Sequence, residues 1–140
     1  VLDWEMATLG DPLMDLGSAL AYWVEETDNA IFKATRRQPT NLKGMFTRKE
    51  VVDYYLEKTG LQPENWTFYE VFGIFRLAVI AQQIYYRYYH KQTNNPAFKD
   101  FWVVIHAFHI RALKLIGKQK IEANDLAQKY MNKFKELMPK

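Results

Sequence analysis

Four carboxylates fall within the first fifteen residues of this chain, although the chain as a whole is basic. They are Asp3, Glu5, Asp11 and Asp15, in the stretch VLDWEMATLGDPLMDLG. An apolar pair followed by an acid is typical of the end of a β-strand, and carboxylate oxygens are the ligands that Mg²⁺ prefers. Such an acid can hold the metal that bridges nucleotide phosphates in phosphoryl transfer. The short pattern alone is equally typical of surface acids and a helix cap.

The composition limits the classes of protein to which the chain can belong. Its 140 residues correspond to one domain, and a hydrophobic fraction of 49% is enough to form a core. The net charge is +3 and the basic residues are scattered, so we expect no nucleic-acid partner. The absence of cysteine excludes disulfides and thiolate metal sites, and it is consistent with a reducing, cytoplasmic location. The longest apolar stretch carries two arginines and two glutamines, so we expect no membrane span.

Hydrophobic periodicity and capping signals predict an all-α helical bundle of about five helices, with a strand remnant at the N-terminus. The predicted helices span residues 12–25, 48–58, 66–91, 97–116 and 122–138. Asp11-Pro12 is a helix start, and Thr47 with Glu50 forms a capping box. Residues 27–46 lack a sustained period and contain turn-forming residues, so they are predicted to be a loop.

The predicted helix over residues 66–91 is apolar on nearly every face, which is typical of a buried central helix. It also carries Arg76, Gln82 and Gln83, and buried polar groups need partners. These side chains are therefore expected either to bond to other helices or to line a substrate cleft.

The opening stretch resembles the segment that follows the catalytic loop in the aminoglycoside phosphotransferase and choline kinase-like family. That family has a hydrophobic strand, then DWE, a short loop, GDP and DL. The resemblance continues in FTRKEVVDYYLEKTG, which is similar to a capped helix of the family, and in NWTFYEVFGIFRLAVIAQQIYYRY, which is similar to its long C-lobe helix. The second block is especially similar to the subgroup related to acyl-CoA dehydrogenase-fused kinases. Residues 97–140 match only in helical character.

The resemblance implies roles for particular residues. Asp3 corresponds to the metal-binding acid, and Glu5 is expected to help order the metal or its waters. Asp11 and Asp15 are expected to be structural, as a helix cap and as a link to the catalytic-loop region. Arg76 lies on the helix that forms the acceptor-substrate wall, so it is a candidate for binding an anionic group, although a buried arginine is more often an ion-pair partner.

The catalytic-loop motif H-x-D-x-x-x-x-N and the nucleotide-binding lobe of the family have no counterpart in these 140 residues. We therefore expect residues 1–140 to be the C-terminal helical part of a small-molecule kinase domain, without catalytic or nucleotide-binding residues of its own. The full-length enzyme would use ATP and Mg²⁺ to phosphorylate a hydroxyl on a hydroxyacyl-CoA or an aminoglycoside-like alcohol, and this part would be inactive alone. The alternative is a non-catalytic helical interaction or regulatory module, or a pseudokinase remnant. In either case we expect an exposed apolar face, through which the chain can dimerise.

Two further clusters have ordinary structural explanations. His106 and His109 are three residues apart and can face one metal on a helix, but no acid accompanies them, which favours a packed pair. The tyrosines at positions 85, 86, 88 and 89 could stack on a ligand, although aromatic residues at this density more often pack against other helices.

Overall fold

A computed structural model of the protein describes residues 9–117, and this part of the chain is helical without any strand. The α-helices are α1 (Pro12–Ala21), α2 (Ala30–Ala34), α3 (Arg48–Thr59), α4 (Trp66–Tyr89) and α5 (Phe101–Leu115), with a 3₁₀-helix at Pro96–Phe98. The predicted all-α class is confirmed. The predicted strand remnant and the predicted helix over residues 122–138 lie outside the described residues.

The starts of α1 and α3 follow the predicted capping signals. Asp11 caps α1 ahead of Pro12, and the Thr47–Glu50 capping box at α3 is formed in both directions. Gly60 ends α3 with a φ of +71°, a conformation that glycine adopts without steric cost. The amino-acid types at these positions satisfy the free N–H and C=O groups of the helix ends, so local sequence is enough to place them.

Three boundaries differ from the prediction. Helix α1 ends at Ala21 rather than near residue 25, because the chain turns to form two hydrogen bonds between the backbone of Val24 and the buried Thr40 hydroxyl, of 3.1 and 2.8 Å. The predicted loop contains the five-residue α2, capped by Asn29. The predicted helix from residue 97 is divided into the 3₁₀-helix and α5.

Helix α4 is the centre of the fold and packs against both α1 and α5. Ile74 on α4 is 1% exposed and lies in the same core cluster as Ala21, Phe32, Ala107 and Phe108. The rings of Phe32 and Phe108 are 5.6 Å apart, so the short α2 contributes an aromatic side chain to the core. Burial of Phe32 explains why α2 forms despite the absence of a helical period in its sequence.

The crossing of α1 and α4 depends on two glycines in direct contact. A Cβ on Gly73 would lie 2.1 Å from the carbonyl oxygen of Gly17, and a Cβ on Gly17 would lie 2.3 Å from the carbonyl oxygen of Tyr69. No side chain fits at either position, so the two backbones approach as closely as helices can. This contact sets the position of α1 relative to α4.

The prediction that α4 is buried all round is wrong for the described part of the chain. Phe68, Phe75, Val79, Tyr86 and Tyr89 are between 39% and 63% exposed, and we call these five residues the apolar stripe. Their spacing of 7, 4, 7 and 3 residues places them along one face. The described helices cover only the other side of α4, and for the same reason Arg76, Gln82 and Gln83 are exposed rather than buried.

An ion-pair network holds the chain between α1 and α3. The guanidinium of Arg48 contacts the carboxylates of Asp28 and Glu25, the latter at 3.2 Å, and it also donates to the backbone carbonyl of Trp23. Burial by itself raises the pKa of Asp28, but the Arg48 hydrogen bond, the Glu25 N–H and the nearby arginine charges outweigh it and leave that pKa below its usual value. The network therefore favours the ionised form of Asp28.

Candidate functional site

The junction between the acidic opening stretch and the bundle is built around Asp11. Its Oδ1 accepts a hydrogen bond of 2.9 Å from the backbone N–H of Leu13, and its Oδ2 accepts one of 2.6 Å from the Tyr69 hydroxyl on α4. The second bond raises the pKa of the Tyr69 hydroxyl, because ionisation would remove the proton that Tyr69 donates to Asp11 and would also place two negative charges side by side. The predicted capping role of Asp11 is confirmed, and Asp11 also joins α1 to α4.

Asp15 lies in the first turn of α1 with its side chain exposed. Its carboxylate makes no hydrogen bond or ion pair with any residue in the range 9–117, and a negative charge in this turn is favoured by the helix dipole. Its predicted link to a catalytic-loop region stays a prediction.

The predicted metal ligands Asp3 and Glu5 lie outside the described residues. The chemistry of this donor pair fits Mg²⁺, because both side chains offer hard carboxylate oxygens. Among residues 9–117, no group of three or more His, Asp or Glu side chains is arranged to hold a metal ion. Any metal ligand of this chain must therefore come from outside that range or be shared with another part of a larger site.

Arg76 lies beside Ser18 at the α1–α4 crossing. Its Nη1 donates to the Ser18 hydroxyl over 3.3 Å, and that hydroxyl in turn donates to the carbonyl of Met14 over 2.8 Å. Both residues line a small pocket of about 170 Å³ together with Gly73 and Tyr22. Arg76 has no carboxylate partner among the described residues, so the expected ion pair is not formed there. Its charge faces a pocket that is open to solvent.

The position of Arg76 relative to the opening stretch follows from helix geometry. Its partner Ser18 is seven residues from Asp11, which corresponds to about 10 Å along α1 at 1.5 Å per residue. The Gly17–Gly73 contact lies between the Tyr69–Asp11 and Arg76–Ser18 bonds. One rigid crossing therefore holds both the junction at Asp11 and the candidate substrate residue.

The histidine pair belongs to the packed face of α5. His106 and His109 are half-buried, and the His106 ring lies 6.1 Å from that of Trp102 in an edge arrangement. Burial, with a smaller contribution from the neighbouring His109, lowers the pKa of His106. The neutral form of His106 is therefore favoured, as expected for an imidazole packed against aromatic rings.

The tyrosines near the end of α4 divide into two pairs. Tyr85 and Tyr88 are half-buried, and burial raises the pKa of the Tyr85 hydroxyl. Tyr86 and Tyr89 are exposed and belong to the apolar stripe, and the Tyr86 ring lies 4.1 Å from the His90 ring in a tilted arrangement. The prediction that these tyrosines pack against other helices therefore holds for Tyr85 and Tyr88 and not for Tyr86 and Tyr89.

Sequence reasoning missed the two half-buried arginines, Arg48 and Arg111. Arg48 joins residues 20 and 23 positions away, and Arg111 contacts Glu70 at 3.6 Å and lies over the Phe32 ring at 5.2 Å. Both line a cleft of about 600 Å³ beside α3. No local pattern predicts these pairs, because the partners are distant in sequence and meet only after the helices pack.

Comparison with known proteins identifies relatives of two kinds. The phosphotransferase enzyme family matches residues 1–51, which include the DWE and GDP stretches. Mouse acyl-CoA dehydrogenase family member 10 is 40% identical over 89 residues, covering 62% of this chain and 8% of the relative. Member 11 from rat and from human is 36% and 33% identical over 91 residues, covering 63% of this chain and 11% of each relative. The resemblance to the phosphotransferase family is thereby confirmed.

The chain spans about a tenth of the length of the curated relatives that it matches. No solved structure matches. In residues 9–117, no helix has the length and apolar character needed to cross a membrane.

Proposed function

We propose, from the match of residues 1–51 to the phosphotransferase enzyme family, that this chain is the C-terminal helical part of a small-molecule kinase. The complete enzyme transfers the γ-phosphoryl group of ATP to a hydroxyl of its substrate. The match is the observation that carries the proposal, because it includes the DWE acids to which the resemblance assigns metal binding. In this proposal residues 1–140 form one structural unit.

Asp3 holds Mg²⁺ in the complete site, and Glu5 orders the metal or its waters. When bound, the metal neutralises the charge that develops on the transferred phosphoryl group. The described part of the chain gives support: the Asp11 cap and the Gly17–Gly73 contact fix the start of α1 against α4.

The surroundings of Arg76 favour a substrate that carries an anionic group. Its guanidinium lies beside an open pocket and has no carboxylate partner in the described part of the chain. A hydroxyacyl-CoA has phosphates that an arginine can bind, whereas an aminoglycoside-like alcohol is cationic, so the geometry at Arg76 favours the former. Acyl-CoA occurs in the names of the relatives, which is consistent with this choice.

The decisive experiment is Mg²⁺-dependent ATP turnover by a longer polypeptide that contains this chain together with an H-x-D-x-x-x-x-N loop. Asp3→Ala is expected to lower kcat by about a hundredfold or more, the scale for loss of a group that stabilises transition-state charge. Asp53→Ala is the matched control, because Asp53 is an exposed carboxylate on α3. Full activity in Asp3→Ala would remove Asp3 from the metal site.

The same assay tests Arg76. Arg76→Ala is expected to raise KM for an anionic acceptor by about tenfold with little change in kcat, because a charge-assisted hydrogen bond is lost from ground state and transition state alike. Arg87→Ala, at another exposed arginine of α4, is the control. A fall in kcat without a change in KM would contradict a substrate-binding role.

The 140-residue chain alone is expected to show no phosphoryl transfer, because the base, the phosphate-covering loop and the lysine of the kinase scheme are supplied elsewhere. Turnover by the isolated chain above the buffer background would contradict this. We further propose a cytoplasmic location and no nucleic-acid or membrane partner, on the basis of composition and scattered charge.

A second function is favoured by one observation, the exposed apolar stripe on α4. Exposed apolar surface of this kind marks interaction sites. If the longer polypeptide binds ATP but transfers no phosphate, a helical interaction module or pseudokinase becomes the better description.

A further inference from the structure

An apolar groove lies on the side of α4 that faces α2 and α5. Its volume is about 630 Å³, within the range of small-molecule sites in proteins. Ile80 and Ile84 of α4, Val104 of α5 and Ile31 of α2 form its walls, and Phe32 and Phe108 lie at its base. Because a polar ligand would lose its hydrogen bonds to water against these walls, the groove suits an apolar body.

The charged side chains that line the groove are Arg37 and Asp100. Arg37 is exposed and makes no hydrogen bond or ion pair with any other residue described in the structure. The adjacent Arg36, by contrast, donates to Asn41 Oδ1 over 2.9 Å and does not line the groove. Asp100 immediately precedes α5, where the helix dipole favours its negative charge. Arg37 is thus a cation available to an anionic group at the edge of an apolar surface.

The irregular segment that forms one side of the groove is held in place by buried polar contacts. Thr40, which is 5% exposed, bonds to both the N–H and the C=O of Val24. Arg48 binds the carbonyl of Trp23 and the carboxylate of Asp28. A groove that is fixed before binding loses little conformational entropy when a ligand enters. These contacts explain why a segment without helical period keeps a defined surface.

We propose that this groove binds an amphipathic small molecule with an aliphatic body and a single anionic head, either carboxylate or phosphate. The body lies against Ile80, Ile84 and Val104, and the head pairs with the guanidinium of Arg37. The groove adjoins the small pocket beside Arg76, with which it shares Tyr22, Leu77 and Ile80, but Arg37 lines the groove alone. The proposal does not depend on phosphoryl transfer by the complete enzyme.

The test is isothermal titration calorimetry of the 140-residue chain with decanoate, decyl phosphate and uncharged decanol, each below its aggregation concentration. We expect saturable one-to-one binding of the two anions and weaker binding of decanol. The relative affinities of decanoate and decyl phosphate identify which head the site prefers. Absence of saturable binding by both anions would overturn the proposal.

Two pairs of variants locate the binding site. Arg37→Gln is expected to weaken binding of the anions about threefold, the scale of an exposed ion pair, and to leave decanol unaffected, whereas Arg36→Gln changes neither. Ala34→Phe adds a ring at an exposed residue that lines the groove and should weaken all three ligands at least fivefold, the scale of overpacking. Ala30→Phe, also exposed on α2 but outside the groove, is its control.

Circular dichroism verifies that each variant is folded, and Ala97→Phe replaces Ala34→Phe if the latter is not. Ligand affinities that do not change in the groove variants would place binding elsewhere and overturn the proposal. Two further measurements test whether another part of the protein already fills the groove, and either positive result would overturn the proposal. A tenfold gain in affinity on truncation after Gly117 would mean that residues 118–140 fill the groove. Ligand-induced dissociation of a dimer would mean that a second copy fills it.

Discussion

At the scale of single residues, Asp11 connects local and tertiary structure. One carboxylate oxygen accepts from the first turn of α1, and the other accepts from Tyr69, which is 58 residues away. A capping acid was predictable from the Asp-Pro pair, but its second partner was not, because that partner reaches Asp11 only when α1 crosses α4. Mutation can separate the capping of α1 by Asp11 from its hydrogen bond to Tyr69.

Asp11→Ala is expected to lower the free energy of unfolding by about 1 kcal/mol from the lost cap, with a further loss from the Tyr69 bond. Tyr69→Phe should cost less than Asp11→Ala, because the cap remains. Urea denaturation of the two single variants and the double variant measures the coupling. Strictly additive effects would mean that the Tyr69–Asp11 bond contributes nothing.

Asp28 should make stability depend on pH in the acid range. Because its folded-state pKa is below the unfolded value, its stabilising contribution is complete above the unfolded pKa of about 3.9 and is lost as pH falls through the folded pKa. Asp28→Asn should therefore cost about 1–3 kcal/mol at pH 7 and progressively less below about pH 4.

Urea denaturation of wild type and variant between pH 2.5 and 7 measures this difference. Asp53→Asn is the control, because its ion pair with Lys49 is exposed and its loss should cost at most about 0.5 kcal/mol. A cost for Asp28→Asn that does not change with pH would contradict a depressed pKa.

At the scale of elements, the α1–α4 crossing depends on the absence of side chains at positions 17 and 73. Helix propensity alone favours alanine over glycine inside a helix by about 1 kcal/mol. Steric overlap with backbone atoms opposes this, and backbone cannot rotate away as a side chain can. The steric overlap outweighs the gain in helix propensity, because a Cβ at position 73 or 17 would lie 2.1 or 2.3 Å from a carbonyl oxygen, far below van der Waals contact.

Gly73→Ala and Gly17→Ala are each expected to destabilise the fold by about 1–3 kcal/mol, despite their better helix propensity. Gly10→Ala is the control, because a Cβ there meets no atom within 4 Å. Thermal unfolding followed by circular dichroism gives the comparison. Stabilisation by either helix substitution would mean that α1 and α4 do not cross through these residues.

At the scale of the whole molecule, the apolar stripe departs from an ordinary globular surface in the part of the chain that the structure describes. Its members include Phe75, 63% exposed, and Tyr86, 57% exposed, on the helix that carries the core residue Ile74. A central helix with one bare face needs another surface to cover it. In the longer enzyme that we propose, another part of the protein can do so, and in the isolated chain a second copy can.

We therefore expect the 140-residue chain to dimerise in a concentration-dependent manner through the stripe. Phe75→Glu should shift the chain to monomer in analytical ultracentrifugation, since a charge in the centre of an apolar interface is costly. Leu42→Glu, at an exposed apolar residue outside the stripe, should leave the dimer intact. A wild-type monomer at all concentrations would contradict this use of the stripe.

The sequence by itself determined the helical class, the capped starts of α1 and α3, and the resemblance of the opening acids to a phosphotransferase metal site. Those features depend on periodicity, capping chemistry and a family motif, all of which are local. Only the tertiary structure decided that Phe32 makes α2 helical, that Arg76 is exposed beside Ser18, and that no other helix within residues 9–117 covers one face of α4. Each of these depends on residues distant in sequence, and burial is a property of what packs against a residue rather than of the residue itself.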